Sequence, residues 1–294
     1  MSTQFPLSLP YSGWKRHLIL GTGRALVSVF PERASRLKAG DVPPEPNRWE
    51  RLLLAGLVDT HLRRGCLEEL TALHDWVWTG DVAVDFHAGA EARFTEVFLA
   101  HHAAIVPALQ AAIVDTGGRY ATVCEIGCGS GLVLDHLSRT LAGQRQYVGL
   151  DMSPRQVELN RQRFAARALR FEAGEGLTWV LRNGQRGSIF LTYGGVLEYF
   201  PPRRLQSLLS WIAGALSPSL VAIVEPLADG HDADADPDSR PFGVENTFSH
   251  PYPRAFALAG LQVLWRREVL VGAQRWLMMV AYAPGNGGAR TTLA

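Results

Sequence analysis

Apolar positions recur at helical spacing through the first part of the chain. Leu52, Leu53, Leu57, Leu62, Leu67, Leu70 and Leu73 predict helix from Arg48 to Trp78. Loop punctuation brackets it, at Gly40-Asp41-Val42-Pro43-Pro44-Glu45-Pro46 and at Gly80-Asp81. Residues 1 to about 90 therefore form a helical N-terminal region. A further helix is predicted from Glu91 to about Val114, where Phe94, Val97, Phe98, Ile105, Leu109 and Ile113 build an apolar stripe and Gly117-Gly118 stops it.

From Tyr120 the pattern changes to short apolar runs that alternate with helical periods. Strands are predicted at Ala121–Ile126, Tyr147–Leu150, Leu169–Phe171, Ser188–Tyr193 and Leu220–Glu225. Helices fall between them at Leu132–Leu141, Ser153–Ala166, Gly176–Leu181 and Arg203–Leu216, with Ser153 as a cap and Pro154 in the first turn. Such alternation implies an α/β fold, a doubly wound parallel sheet with helices on both faces. After a polar stretch from Asp229 to Arg240 and a helix near Arg254–Ala259, Leu261–Val271 and Trp276–Ala283 flank Gly272 and predict a closing antiparallel hairpin, giving about seven strands. Gly285–Ala294 is expected to be a flexible tail.

Composition narrows the classes of function. The chain has 294 residues, 47% of them hydrophobic and 19% charged, with a formal net charge of +1. Wholesale disorder is excluded, and nothing marks a face for nucleic acid or an anionic membrane. Cys66, Cys124 and Cys128 lack the number and spacing of a disulfide framework or a structural zinc site, so a reducing compartment is expected and no metal is assigned. The apolar run after Lys15-Arg16 meets Gly21 and Gly23 too early for a signal peptide, and no window of about 20 apolar residues could span a bilayer. A cytoplasmic protein is expected.

The chemistry concentrates in Val123-Cys124-Glu125-Ile126-Gly127-Cys128-Gly129-Ser130-Gly131, a strand running into a glycine turn that opens a helix. Glycines let the backbone turn tightly and approach a ligand, and the helix N-terminus offers unpaired N–H donors. The dinucleotide fingerprint requires glycine where Leu132 stands, which argues against NAD and FAD. Asp151 ends the next strand, where a carboxylate can accept hydrogen bonds from a ribose diol. Another acid follows strand three in Arg170-Phe171-Glu172-Ala173-Gly174-Glu175-Gly176.

Together these residues resemble the class I S-adenosylmethionine-dependent methyltransferases, with a Rossmann-like fold, over roughly residues 91–284. The resemblance implies that Glu125, Gly127, Cys128 and Gly129 hold the methionine end of S-adenosylmethionine. It implies that Asp151 binds the ribose, Met152 packs near the adenine, and Glu175, followed by Gly176, meets the adenine amino group. Tyr193-Gly194-Gly195-Val196-Leu197-Glu198-Tyr199-Phe200 is similar to the loop that passes under the sulfonium, except that the family usually has a small polar residue where Tyr193 stands. An aromatic face there can stabilise positive charge, and Tyr193 can equally be a packing tyrosine.

Tyr193, Glu198 and His250 are the candidates near an acceptor, with His250 read either as a general base or as a loop anchor. His101 and His102 cannot both face one ligand, since helical neighbours point about 100° apart. The run His231–Asp238 fails the calcium-loop pattern at Pro237 and Gly243 and reads as a solvated, mobile loop. The leading expectation is a methyltransferase for a small molecule, with residues 1–90 as a helical lid. The alternative is a lyase or cyclase of the azetidine-2-carboxylate synthase kind, which releases 5′-methylthioadenosine. A non-catalytic binding protein is a third reading, and oligomeric state stays open.

Overall fold

The computed structural model describes residues 7, 13–38, 42, 46–141, 143, 145–243 and 245–285. Most of the expected tail, and most of the loop from Gly40 to Pro46, lie outside the described residues. The N-terminal region is helical, as α1 (Gly13–Val29), α2 (Pro31–Lys38), α3 (Arg48–Arg64), α4 (Leu67–Thr79), α5 (Asp81–His87) and α6 (Ala90–Arg93).

The helical stretch expected from Arg48 to Trp78 is built of two helices. Asn47 opens α3 by accepting from the amides of Trp49 and Glu50, while the Glu50 carboxylate reaches back to the Asn47 amide. Gly65 then turns left-handed at φ 66°, which ends the helix and starts α4 at Leu67. Leucine spacing alone does not register a two-residue break of this kind. Helix α1 falls within the expected helical region and buries only Leu20 and Gly23. It crosses α3 backbone to backbone: a Cβ on Gly56 would lie 2.2 Å from the Gly23 carbonyl carbon. The N-terminal helices share a core of Leu54, Leu57, Leu70, Leu73 and Val77.

The helix expected over Glu91–Val114 is also divided. Residues Phe94–His102 form a π-helical stretch, and α7 (Ile105–Asp115) follows after a bend of 55°. Among the described residues no single helix is long and apolar enough to cross a membrane; only this bent pair reaches that length and composition together.

The sheet matches the expected architecture. Strands β1 (Thr122–Ile126), β2 (Gln146–Asp151), β3 (Leu169–Ala173), β4 (Ser188–Tyr193) and β5 (Ser219–Leu227) pair in parallel, and β8 (Gln262–Val271) and β9 (Gln274–Ala283) add the antiparallel hairpin. The order is β3-β2-β1-β4-β5-β9-β8, so connections leave β1 in both directions and a crevice opens where the order reverses. The helices α8 (Leu132–Thr140), α9 (Pro154–Arg163), α10 (Gly176–Asn183), α11 (Pro202–Ala215) and α12 (Tyr252–Leu258) link the strands. Leu109, Leu134, Val157 and Met278 belong to the core on one face, and Phe190, Leu209, Ile212 and Met279 to the core on the other. All five residues of β1 are buried.

One region differs from the expected solvated loop. The segment after β5 includes a small hairpin, β6 (Arg240–Phe242) with β7 (Thr247–Ser249). His231 is fully buried against the Ser249 hydroxyl at 2.6 Å, Asp232 accepts from the amides of Asp234 and Ala235, and Asp236 pairs with Arg240 at 2.6 Å. Of the alternating carboxylates, Asp232 serves a turn, and Asp234 and Asp236 pair with Arg266 and Arg240.

The α1–α3 crossing gives a direct test. Gly56→Ala is expected to cost roughly 1 to 3 kcal/mol through overpacking against backbone. Gly214→Ala, on the exposed side of α11 where an added Cβ meets nothing within 4 Å, is expected to stabilise by about 0.4 to 1 kcal/mol. Urea denaturation of both variants measures the contrast.

Candidate functional site

The glycine turn after β1 uses left-handed backbone that only glycine adopts without strain, with Gly127 at φ 70° and Gly129 at φ 47°. Space is as restrictive as conformation: a Cβ on Gly127 would lie 2.5 Å from Val196, and one on Gly129 2.5 Å from the His87 ring. The Asp151 carboxylate braces the turn. It accepts from the Gly129 amide on Oδ2 and from the Ser153 amide on Oδ1, both at 2.9 Å. Burial pushes this carboxyl above its ordinary value, and the two N–H donors oppose the shift.

Asn160, on α9, donates to the Gly129 carbonyl at 2.6 Å and fixes the other side of the turn. Cys128 is buried, its thiol pushed well up by burial, which suits packing and not nucleophilic attack. Glu125 is also buried, its Oε2 has no hydrogen-bond partner, and burial holds its carboxyl well above the usual carboxylate range. Glu175 caps α10 by accepting from the amides of Leu177 and Thr178 and pairs with Arg204 at 3.0 Å.

These groups open on one cavity of about 380 Å³. Glu125, Gly127, Cys128, Gly129, Asp151, Met152, Glu175, Gly176 and Tyr193 all line it. The structure thus brings together every residue singled out for cofactor binding. It does not bring Glu198 and His250 to the same wall.

Glu198 accepts from the Thr247 hydroxyl at 2.6 Å and is buried behind Gly195, with burial pushing its carboxyl well up. His250 is fully buried, with Nδ1 at 2.7 Å from the Ser239 hydroxyl and Nε2 at 3.2 Å from the Leu197 carbonyl, and burial pushes its pKa down to about 3. A histidine held neutral in this way anchors the loop after β4, which corresponds to the second of the two roles read from the sequence.

Tyr193 stands on the cavity wall, edge-on to Phe98 at 5.1 Å and to His102 at 5.7 Å. Burial, then the nearby Glu125, pushes its hydroxyl above the ordinary phenol value. His102 is fully buried between Tyr193 and Trp276 and is pushed down to about 4, whereas His101 faces outward.

Several wall residues carried no signal in the sequence. Asp75, Trp78, Phe86, His87 and Arg93 come from the N-terminal helices and Trp276 from β9. His87 lies over the glycine turn and is kept neutral by burial, its pKa pushed down to about 4. The Arg93 guanidinium sits 4.4 Å over the Phe86 ring and has no carboxylate partner among the described residues. Asp75 is pushed up to about 6 by burial, opposed by Arg204. Beneath the cavity Glu225 accepts from the Thr192 hydroxyl at 2.6 Å and the Leu197 amide at 3.0 Å; burial pushes it up to about 7.

Strand order, glycine turn and the acid at the tip of β2 define a Rossmann-like nucleotide-type site at the C-terminal ends of parallel strands. The profile of a family described as "Methyltransferase domain" matches residues 123–219. Among solved structures, the chain is similar to an S-adenosylmethionine-dependent methyltransferase from Clostridium acetobutylicum ATCC 824 at 9% identity, over 68% of this chain and 99% of that one, with TM-score 0.50.

It is similar as well to an S-adenosylmethionine-dependent methyltransferase from Leishmania major, at 11% identity over 73% and 82% of the two chains, with TM-score 0.50. A magnesium protoporphyrin IX methyltransferase from Synechocystis PCC 6803 aligns over 93% of this chain and 99% of its own, at 12% identity and TM-score 0.43. No curated protein matches the sequence. At these identities the structural likeness is one of fold. The family match, over residues 123–219, agrees with that fold.

The carboxyl of Glu225 makes stability pH-dependent with a definite sign. Its folded value of about 7 lies above the ordinary 4.5, so the stability it contributes is full below about 4.5 and is lost as pH rises through 7. Glu225→Gln, which keeps one acceptor and never ionises, is expected to melt several degrees above the natural protein at pH 8 and to lose that advantage at pH 4. Thermal melts across this range measure it.

Proposed function

We propose that the protein is an S-adenosylmethionine-dependent methyltransferase acting on a small molecule. In this reading residues 91–284 form the cofactor-binding domain and residues 1–90 a helical lid over it. The observation that carries the reading is the convergence of the glycine turn, Asp151, Glu175 and Tyr193 on one cavity whose wall also carries Trp78, Phe86, Phe94, Tyr199, Phe200 and Trp276. The residues fit the cofactor's chemistry. The buried Glu125 Oε2, lacking a partner, suits an ammonium group at the methionine end. Each Asp151 oxygen already accepts one backbone N–H and keeps a second acceptor site for a ribose hydroxyl. Glu175 and Gly176 border the place for an adenine, with Met152 as an apolar contact.

When bound, S-adenosylmethionine supplies an electrophilic methyl group on a sulfonium. The chain's task is then to align the acceptor and keep water out, the two effects that dominate an in-line displacement. Tyr193, Phe94 and Trp276 give the cavity an aromatic lining that favours nearby positive charge by about 0.5 to 2 kcal/mol. His87 and His102 are held neutral, so neither adds a repelling charge at pH 7. A walled cavity of about 380 Å³ and a net charge of +1 favour a compact, partly apolar acceptor over a nucleic acid.

Two measurements test the proposal. Asp151→Ala should weaken S-adenosylhomocysteine binding in calorimetry by roughly 1.5 to 3 kcal/mol, the worth of a hydrogen bond to a charged group. Unchanged affinity would remove the cofactor from this position. Incubation of the natural protein with S-adenosylmethionine alone should leave it intact, whereas accumulation of methylthioadenosine above a no-enzyme control would replace methyl transfer by the lyase or cyclase reaction.

A further inference from the structure

The corner between α3 and α4 gathers a histidine, a thiol and a carboxylate that the cavity does not use. One ligand atom from each of His61, Cys66 and Glu69 lies within 4.8 Å of the other two. We propose that this corner binds a divalent transition-metal ion of the zinc type, with His61, Cys66 and Glu69 as its protein ligands.

The backbone sets the three side chains together. His61 is in the last turn of α3, and the left-handed Gly65 folds the chain back so that the Cys66 amide donates to the His61 carbonyl at 2.9 Å. Glu69 follows Cys66 by three residues, at the start of α4, where that spacing puts side chains on one helix face. The arrangement is local and needs no movement of the helices. Neighbouring ligand atoms in a tetrahedral zinc site lie about 3.5 Å apart, so binding draws together three atoms that now lie within 4.8 Å of one another, two of them on the half-exposed Cys66 and Glu69.

An independent observation points to a ligand. His61 is buried to 7% exposure, and its Nε2 has no hydrogen-bond partner. A polar nitrogen in that position costs free energy unless something pairs with it.

The donor set selects the ion. Imidazole with thiolate suits zinc or cobalt and does not suit magnesium or calcium. Lys38 is the competitor, with its ammonium 3.5 Å from Glu69 Oε1. An incoming dication displaces that contact, so Lys38 opposes binding. Three protein ligands leave a fourth position for water, and the bound ion would fasten the α3–α4 corner behind Asp75 and Trp78.

Chelator-treated full-length protein, titrated with Zn²⁺ by calorimetry and with Co²⁺ by absorption, tests this without any assumption about the reaction. The expected result is one equivalent bound, a thiolate-to-cobalt charge-transfer band, and a rise in melting temperature with zinc. Cys66→Ser should abolish the band; Cys124 and Cys128 are buried and do not substitute for it. His61→Ala and Glu69→Gln should each weaken binding by about tenfold or more. Lys38→Met should tighten it, a result that damage to folding could not produce. Absence of binding in the natural protein and in Lys38→Met would overturn the proposal, as would a charge-transfer band that survives Cys66→Ser.

Discussion

The hydrogen bond from the Gly129 amide to the Asp151 carboxylate is the constraint on which the site rests. It ties the turn after β1 to the tip of β2, and the parallel register that sets Ile126 beside Leu150 delivers both ends to the same edge of the sheet. Asp151 also accepts from Ser153, so one carboxylate holds the glycine turn and the start of α9. The turn's left-handed glycines then bring bare backbone against Val196 and His87, and the cavity forms around a surface without side chains.

Buried acids surround this arrangement. Glu125, Glu198, Glu225 and Glu245 are all pushed toward their neutral forms by burial. Hydroxyls soften the cost at three of them: Thr192 donates to Glu225, Thr247 to Glu198 and Tyr199 to Glu245. Glu125 has no such donor on Oε2. The contrast separates carboxyls that serve the fold from the one whose pairing the fold leaves incomplete.

The sheet and the cofactor half of the candidate site were legible because both rest on local patterns. Alternating apolar runs mark strands, and a glycine triplet followed by an acid at the next strand tip marks a turn that approaches a ligand. Glu198 stands in the loop after β4 and His250 just before α12, and neither reaches the cavity wall. Within the short helical turn Leu197–Tyr199, Tyr199 faces the cavity while its neighbour Glu198 turns to Thr247, a choice of side that sequence adjacency does not reveal. The wall contributed by the N-terminal helices was illegible for a different reason. Asp75 and Trp78 come from α4, His87 from α5 and Arg93 from α6, and only tertiary packing brings the three helices to one surface. The corner of His61, Cys66 and Glu69 likewise depends on a single left-handed glycine and follows no familiar ligand spacing.

The π-helical stretch Phe94–His102 places Phe94 and Phe98 in a stack at 5.3 Å and carries His102 against Tyr193 and Trp276. Its wider turn changes the phase between the part of the chain that follows α6 and helix α7, which faces the sheet. Losing one residue from this stretch would rotate everything beyond it by about 100°, taking either the aromatic ladder away from Tyr193 or the stripe of α7 off the sheet. Side chains here are exchangeable within limits of volume. The number of residues is not, and this segment should vary in composition across descendants of the sequence while keeping its length.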